Sequence, residues 1–300
     1  MRQTSACTSY FFFRYNLSMY RPMSIDPIDY LMIGHITLDK TPQGPRLGGT
    51  TTFSSLMARA LGLRVGIVTS WGMEIPLGPL ADIPIINLPA EHSTTFENIT
   101  TSEGRIQTLF HIANTIDINL IPAEWLNASI VHIGPIAQEI EPTIVRHLSN
   151  SLVGTTPQGW LRTWGNDGSV LPTEWPEAAF VLSNVGAAVI SVEDLGFDES
   201  RIEEMATACR VLAVTENSEG VRLFWNGDVR RFRPSVVTEV DTTGAGDIFA
   251  TAFFFRMYTT RDPWEAARFA TELAAISVTR RGLQGIPTFE EIQACMAEVL

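Results

Sequence analysis

Residues 240–250 read Val-Asp-Thr-Thr-Gly-Ala-Gly-Asp-Ile-Phe-Ala, placing two glycines around one alanine at the mouth of an apolar helix. Small residues at such a point let backbone amides approach a ligand without a Cβ in the way. The first N–H groups of a helix have no intrahelical acceptor and carry the partial positive end of its dipole, so Thr243, Gly244, Ala245 and Gly246 describe an anion site. Asp247 falls on the first turn beside that site. A carboxylate there can take a proton from an attacking hydroxyl while the amides neutralise charge developing on a phosphoryl group. The structural alternative is that Asp241 and Asp247 are a turn acid and an N-terminal helix acid, which both positions favour.

The elements that must position this string follow from hydrophobic periodicity. Residues 28–34 form a short apolar run ending on glycine. Residues 51–61 (TTFSSLMARAL) carry apolar side chains at helical spacing before Gly62, and residues 65–69 read as a buried strand. A strand, a helix opening after Gly48 and Gly49, and a second buried strand make a parallel βαβ unit. Between about residues 82 and 113 the pattern changes to alternation, as in 95–100 and 105–110, with a Gly-containing turn between. Two antiparallel strands with one solvated face fit this stretch, and such an excursion can act as a lid.

The βα rhythm returns with a strand at 130–134, a helical stretch at 140–148 and a strand at 152–155. Further strands are expected at 180–182, 188–190 and 211–215, and a hairpin at 221–232 turning on Asn226 and Gly227. Helices at 245–258 and 264–279 and a short one from Thr288 close the chain. Phe249, Phe253, Phe254 and Phe255 read as core on a buried helix. Trp160, Trp164 and Trp175 flank a loop at 156–162 where packing outweighs sugar stacking. The domain expectation is one α/β unit over 25–300 with the lid strands inserted.

The motif string resembles the C-terminal signature of the PfkB (ribokinase-like) carbohydrate kinases. In that family the final aspartate is the catalytic base and the Gly-Ala-Gly amides form the anion hole. The resemblance runs from about residue 28 to the end. Residues 34–39 (GHITLD), followed by Leu47-Gly48-Gly49, look like the family's sugar-binding region, which implies substrate contacts for Asp39, Gly48 and Gly49. Residues 214–220 (VTENSEG) are similar to the nucleotide loop, usually Thr-x-Gly-x-x-Gly, which implies nucleotide contacts for Thr215 and Gly220. Residues 278–282 with Ile286-Pro287 match the usual pattern near the adenine pocket.

The resemblance implies a three-layer α/β/α fold with a mainly parallel central sheet and a small β lid. It also implies ATP and Mg²⁺ as donor and metal, a small sugar or polyol as acceptor, and a homodimer through the lid as one assembly. The Gly-Gly-Thr-Thr-Thr-Phe stretch and Pro157-Gln158-Gly159 lean toward inositol-kinase-like members. A nucleoside acceptor, or a ligand-binding member without turnover, stays open.

The departures from the family pattern are local. Phe53 stands where the family often has a sugar-contacting asparagine, and Asn217 replaces the first loop glycine. Ser191-Val192-Glu193-Asp194 takes the place of the Asn-x-x-Glu motif that helps order magnesium. Glu193 and Asp194 then either bind the metal through water or cap the helix they introduce. Asp39 either caps the loop after the first strand or meets substrate in the βα crevice. Arg105, just past the lid turn, either reaches the ligand on closure or is a solvated strand charge.

Composition narrows the partners. The 300 residues carry a net charge of −12, which repels a nucleic-acid backbone from the average surface while leaving a pocket free to bind a phosphate locally. Cys7, Cys209 and Cys295 are too few and too far apart for a disulfide framework, which favours a reducing, cytoplasmic setting. The five histidines show no metal-ligand spacing, and no stretch is long and apolar enough to span a membrane. Residues 1–24, with scattered aromatics and no periodicity, are expected to be a disordered tail or an over-extended translation start, with Met19 or Met23 as the natural beginning.

Overall fold

The computed structural model describes residues 25–101, 104–148 and 150–297, so the expectation for residues 1–24 lies outside the described residues. Strand β1 (Tyr30–Ile33) is followed by β2 (Thr37–Lys40), β3 (Arg46–Gly48), α1 (Gly49–Ala60) and β4 (Val65–Trp71). Strands β5 (Ile85–Pro89), β6 (Thr95–Thr101), β7 (Gly104–His111), β8 (Ile130–Ile133) and β9 (Leu152–Thr155) come next. The chain continues through β10 (Arg162–Trp164), β11 (Val170–Pro172), α2 (Ala178–Asn184), β12 (Ala187–Ser191), α3 (Glu199–Ala208) and β13 (Val211–Thr215). The hairpin β14 (Val221–Trp225) and β15 (Asp228–Phe232) then leads to α4 (Ala245–Thr260), α5 (Pro263–Ser277) and α6 (Phe289–Ala297).

Among the described residues nine strands form the main sheet, ordered β15-β14-β13-β12-β9-β8-β1-β4-β5. From β13 to β5 every pairing is parallel, and only the β13-β14-β15 edge is antiparallel. Strand alternation divides the interior in two. Tyr30 and Met32 face a core shared with Phe53, Met57, Phe249, Phe253 and Phe269 of α1, α4 and α5. Leu31 and Ile33 face the other core, with Trp125, Val181, Leu182 and Ile202. The sheet is therefore the middle of three layers, and its parallel strands are apolar on both faces. Gly154 of β9 has no side chain because the Phe254 ring fills the space a Cβ would take.

The lid is larger than the two strands expected from the alternating stretch. Strands β6 and β7 pair antiparallel, and β2 and β3 join them in the order β3-β2-β6-β7. Asp39 thus sits on a lid strand rather than capping a loop. Alternation places Phe96, Asn98 and Gln107 on the inner face, while Ile99 and Ile106, paired across the strands and half exposed, lie on the outer one.

Three other local expectations change. Residues 180–182 are helical, inside α2, because a three-residue apolar run is as compatible with one buried helix turn as with a strand. The stretch 140–148 narrows to a 3-10 helix at Pro142–His147, and the loop at 156–162 contains another at Pro157–Leu161. Trp160 stacks on Trp175 at 5.2 Å and donates from Nε1 to the Ile140 carbonyl at 2.8 Å, a packing role.

Two buried polar arrangements hold the strand ends. Glu139, 2% exposed, accepts hydrogen bonds from the backbone N–H groups of His35, Ile136 and Ala137, tying the turn after β8 to the turn after β1. In the centre of the sheet the Tyr30 hydroxyl lies 2.7 Å from His132 Nδ1, and His132 Nε2 lies 2.9 Å from Thr156 Oγ1. Burial pushes the His132 imidazole down to about 3, so it is neutral in the folded chain. Protonation then favours the unfolded chain. This group's contribution is complete above the unfolded value near 6.5 and is lost as pH falls toward the folded one. Urea unfolding at pH 7 and pH 5 should show the wild type losing about 2 kcal/mol more over that interval than His132→Gln, which has no such group.

Candidate functional site

A cleft of about 740 Å³ opens between the lid and the carboxyl ends of the parallel strands, where α/β sheets bind ligands. It brings together three distant parts of the chain: the inner lid face, the string 242–247 and the loop after β13.

The string forms as its composition requires. Gly244 caps α4 in the left-handed conformation, at φ +80°. The first i to i−4 bond of α4 is from the Ile248 N–H to the Gly244 carbonyl, so the amides of Gly246 and Asp247 precede it at the open end. No atom stands within 4 Å of where a Cβ on Gly246 would be, which leaves the approach to those amides clear. Beneath them, a Cβ on Gly244 would overlap the Phe53 ring. Phe53, where a sugar-contacting amide was expected, therefore supports the anion loop as well as lining the cleft.

Asp241 pins the other end of the string. Its carboxylate accepts from the backbone N–H of Thr243 and, across the fold, from that of Gly282, each at 2.9 Å. Burial works to raise its pKa. The bonds from Thr243 and Gly282, with the charge of Arg281, outweigh burial and hold it below 3.8. Asp241 therefore takes the structural reading, while Asp247 lines the cleft on the first turn of α4.

Of the residues singled out in the sequence, Asp39, Gly49, Glu193, Thr215, Gly220, Thr243, Gly244, Ala245, Gly246 and Asp247 all line this cleft. Gly48 lies behind it as the N-cap of α1, and a Cβ there would overlap the Asp39 carboxylate. Gly49 adopts φ +77° against the Thr37 side chain, so the glycine pair is demanded by both conformation and contact. Asn217 takes the left-handed conformation at φ +50° that its loop position requires, and donates to Glu193 at 2.8 Å.

Asp194 does not join Glu193 in the cleft lining. It accepts from Gln158 Nε2 at 3.2 Å and lies 3.6 Å from the Arg162 guanidinium. The helix that follows is capped by Asp198 instead. Arg105 pairs with Thr100 along the backbone of the lid, and its side chain lies outside the described residues.

The structure also supplies side chains that were not singled out. Gln107 Nε2 donates to Asn98 Oδ1 at 2.6 Å, and Asn98 Nδ2 donates to Asp39 Oδ1 at 3.3 Å, making a polar chain across the lid. Gln158 and Arg162 reach the same space from the turn after β9. For Arg162 the signal was position alone, since polar residues just past a parallel strand face the ligand crevice, whereas Gln158 lies in the Pro157-Gln158-Gly159 stretch noted in the sequence. Val236, Val237, Ala274, Ala275 and Val278 add apolar side chains to the lining. The lining carries four carboxylates, from Asp39, Glu193, Glu239 and Asp247. Among the described residues its one side-chain cation is Arg162. No group of three His, Cys, Asp or Glu able to hold a metal occurs among the described residues.

Residues 178–289 match the pfkB family of carbohydrate kinases. Over these residues the sequence is that of a PfkB family carbohydrate kinase domain. The cytidine kinase of Thermococcus kodakarensis is 24% identical over 270 residues, covering 82% of this chain and 95% of that protein. A pyrophosphate-dependent kinase of the ribokinase family, solved with a pyrophosphate analog and myo-inositol, superposes with a TM-score of 0.74 at 17% identity, over 88% of this chain and 99% of that one. Arabidopsis thaliana ribokinase, solved with ribose and ATP, superposes at 0.67 with 17% identity, over 90% and 99%. These superpositions identify the architecture as ribokinase-like.

The contact between Phe53 and Gly244 can be tested without a substrate. Gly244→Ala forces a Cβ into the ring from a left-handed backbone and should cost about 2–4 kcal/mol in urea unfolding. Adding Phe53→Leu should recover part of that loss, so the double variant is more stable than the sum of the single effects.

Proposed function

We propose that the protein is an ATP-dependent kinase that phosphorylates a hydroxyl of a small sugar or polyol, with Asp247 as general base. The observation that carries this reading is that one cleft contains both the N-terminal end of α4, with the backbone of Gly246 uncovered and Asp247 on its first turn, and, on the lid side, a set of hydrogen-bonding side chains. The acceptor hydroxyl gives its proton to Asp247, its oxygen bonds to the γ-phosphorus, and the bond from that phosphorus to the bridging oxygen breaks to release ADP. The amides hold the charge that develops on the transferring group, in a cleft the lid shields from water.

The lid chain Gln107-Asn98-Asp39, with Gln158 and Arg162, supplies donors and acceptors for adjacent hydroxyls, while Phe53 and Phe96 offer apolar surface to ring C–H groups. That combination suits a neutral cyclic polyol such as an inositol. A nucleoside acceptor is the second reading, favoured by the cytidine kinase that aligns along 95% of its length.

For the donor, the apolar lining residues Val236, Val237, Ala274, Ala275 and Val278 suit a planar base, with Thr215 and Gly220 assigned to the phosphates. Glu193, on the cleft wall, fits a magnesium contact through water, whereas Asp194 is engaged by Gln158 and Arg162. Magnesium bound between the phosphates would offset the negative charge of a cleft holding four carboxylates. The outer lid face with Ile99 and Ile106 is where a second copy would pair, and Arg105 is kept as a lid contact for the bound acceptor.

Two measurements test the reading. A panel of inositols, sugars and nucleosides, cytidine included, should give acceptor-dependent ADP release from ATP, and Asp247→Asn should lower kcat about 10²–10⁴-fold with the KM for ATP little changed. Pyrophosphate should not replace ATP, because it makes no use of the apolar lining residues and brings its full charge to a cleft whose described lining is rich in carboxylates. Equal rates with both donors would overturn the donor assignment.

A further inference from the structure

Tyr30, His132 and Thr251 are fully buried at the centre of the fold, and the chemistry above makes no use of them. Each is polar, and burying such groups is costly unless their hydrogen bonds are made. They sit in a line. Thr156 Oγ1 is 2.9 Å from His132 Nε2, His132 Nδ1 is 2.7 Å from the Tyr30 hydroxyl, and that hydroxyl is 3.3 Å from Thr251 Oγ1. Thr251 Oγ1 in turn donates to the backbone carbonyl of Asp247 at 2.9 Å.

Counting hydrogens gives the line a direction. Thr251 has one hydroxyl hydrogen, and the Asp247 carbonyl takes it, so Thr251 can only accept from Tyr30. Tyr30 also has one, and if Thr251 takes it, Tyr30 must accept from His132 Nδ1–H. His132 Nε2 is then bare and accepts from Thr156. Every contact has one hydrogen in this arrangement. The other neutral tautomer sends the Tyr30 hydrogen back to Nδ1 and leaves the contact between Tyr30 and Thr251 without one. The ring is well held for the task, since Phe254 meets it edge to face at 5.1 Å. Burial keeps the imidazole neutral and the Tyr30 phenol protonated, as the direction requires.

The four residues come from separate elements that all end at the cleft. Tyr30 lies on β1, which leads toward Asp39, and His132 on β8, which leads toward Ile136. Thr156 follows β9 two residues before Gln158, and Thr251 lies one turn beyond Asp247 on α4. We propose that Thr156, His132, Tyr30 and Thr251 form one hydrogen-bond relay of fixed polarity that sets Asp247 against the acceptor-binding loops, making Tyr30 and Thr251 positioning residues for the base. The proposal rests on the reading of Asp247 as that base.

Three readouts on the full-length chain test it. Nitrogen NMR of ¹⁵N-histidine-labelled protein at pH 6–7 should show His132 neutral with its hydrogen on Nδ1; a hydrogen on Nε2, or a charged ring, overturns the polarity. In hydrogen exchange, Thr251→Val and Tyr30→Phe should speed the amides of residues 244–248 about tenfold, while Thr251→Ser, which keeps the hydroxyl, should match the wild type. In turnover, the first two variants should lower kcat about tenfold or more, with both KM values within twofold, because a displaced base weakens the transition state and not ground-state binding.

Lower thermal stability with unchanged kcat and unchanged local exchange would reduce the line to a packing feature and overturn the proposal. If the wild type turns over no acceptor, or Asp247→Asn keeps full activity, it is the kinase reading that fails. The NMR and exchange results then decide the relay without it.

Discussion

The fold is organised around one electrostatic constraint: among the described residues, the cleft in which the kinase reading places a phosphoryl group is lined by four carboxylates and one guanidinium. Side chains of that balance give an anion little attraction, so under that reading oriented backbone dipoles supply it. That places strict demands on one short segment. The space beside Gly246 must stay clear, and Gly244 must turn left-handed to begin α4 at that point. Phe53 and Asp241 hold the segment from below and from the far end, one by ring contact and the other by accepting two backbone hydrogens.

The same constraint accounts for the character of the acceptor half. Asn98, Gln107 and Gln158 offer hydrogen bonds without adding charge, and Asp194 lies beside the guanidinium of Arg162, which lowers its effective positive charge. Polar side chains of this kind hold their geometry only if their own bonds are satisfied, and the lid register does this by setting Asn98 opposite Gln107. Glu139 performs the corresponding task for the turns after β1 and β8, using a buried carboxylate to collect backbone N–H groups the sheet leaves unpaired.

Where the sequence was legible, the reason was local. Apolar runs bounded by glycine marked the parallel strands, and Asn226-Gly227 marked the hairpin. The spacing of Gly244, Gly246 and Asp247 carried a backbone requirement that few other residues satisfy. Illegible features depended on partners far along the chain. Residues 180–182 could be strand or helix until the layer they pack against was known. Asp39 looked like a loop residue because β2 joins the lid sheet by pairing with β6, more than fifty residues later, as well as with the short β3.

Asp194 shows the limit most plainly. Beside Glu193 in sequence, it invites the same role, yet the i to i−3 turn after β12 fans successive side chains apart, one to the cleft wall and the other to Gln158 and Arg162. The amino-acid string by itself determined that a helix would open on glycines with an acid on its first turn, since those are properties of backbone conformation and hydrogen-bonding capacity within a few residues. Only the tertiary structure decided what that helix faces: which lid side chains line the cleft, that Phe53 buttresses Gly244, and that Tyr30 and His132 link β1 and β8 through Thr251 to the Asp247 carbonyl. Those are contacts between segments tens to hundreds of residues apart, and local propensity carries no information about which distant surfaces chain closure will bring into register.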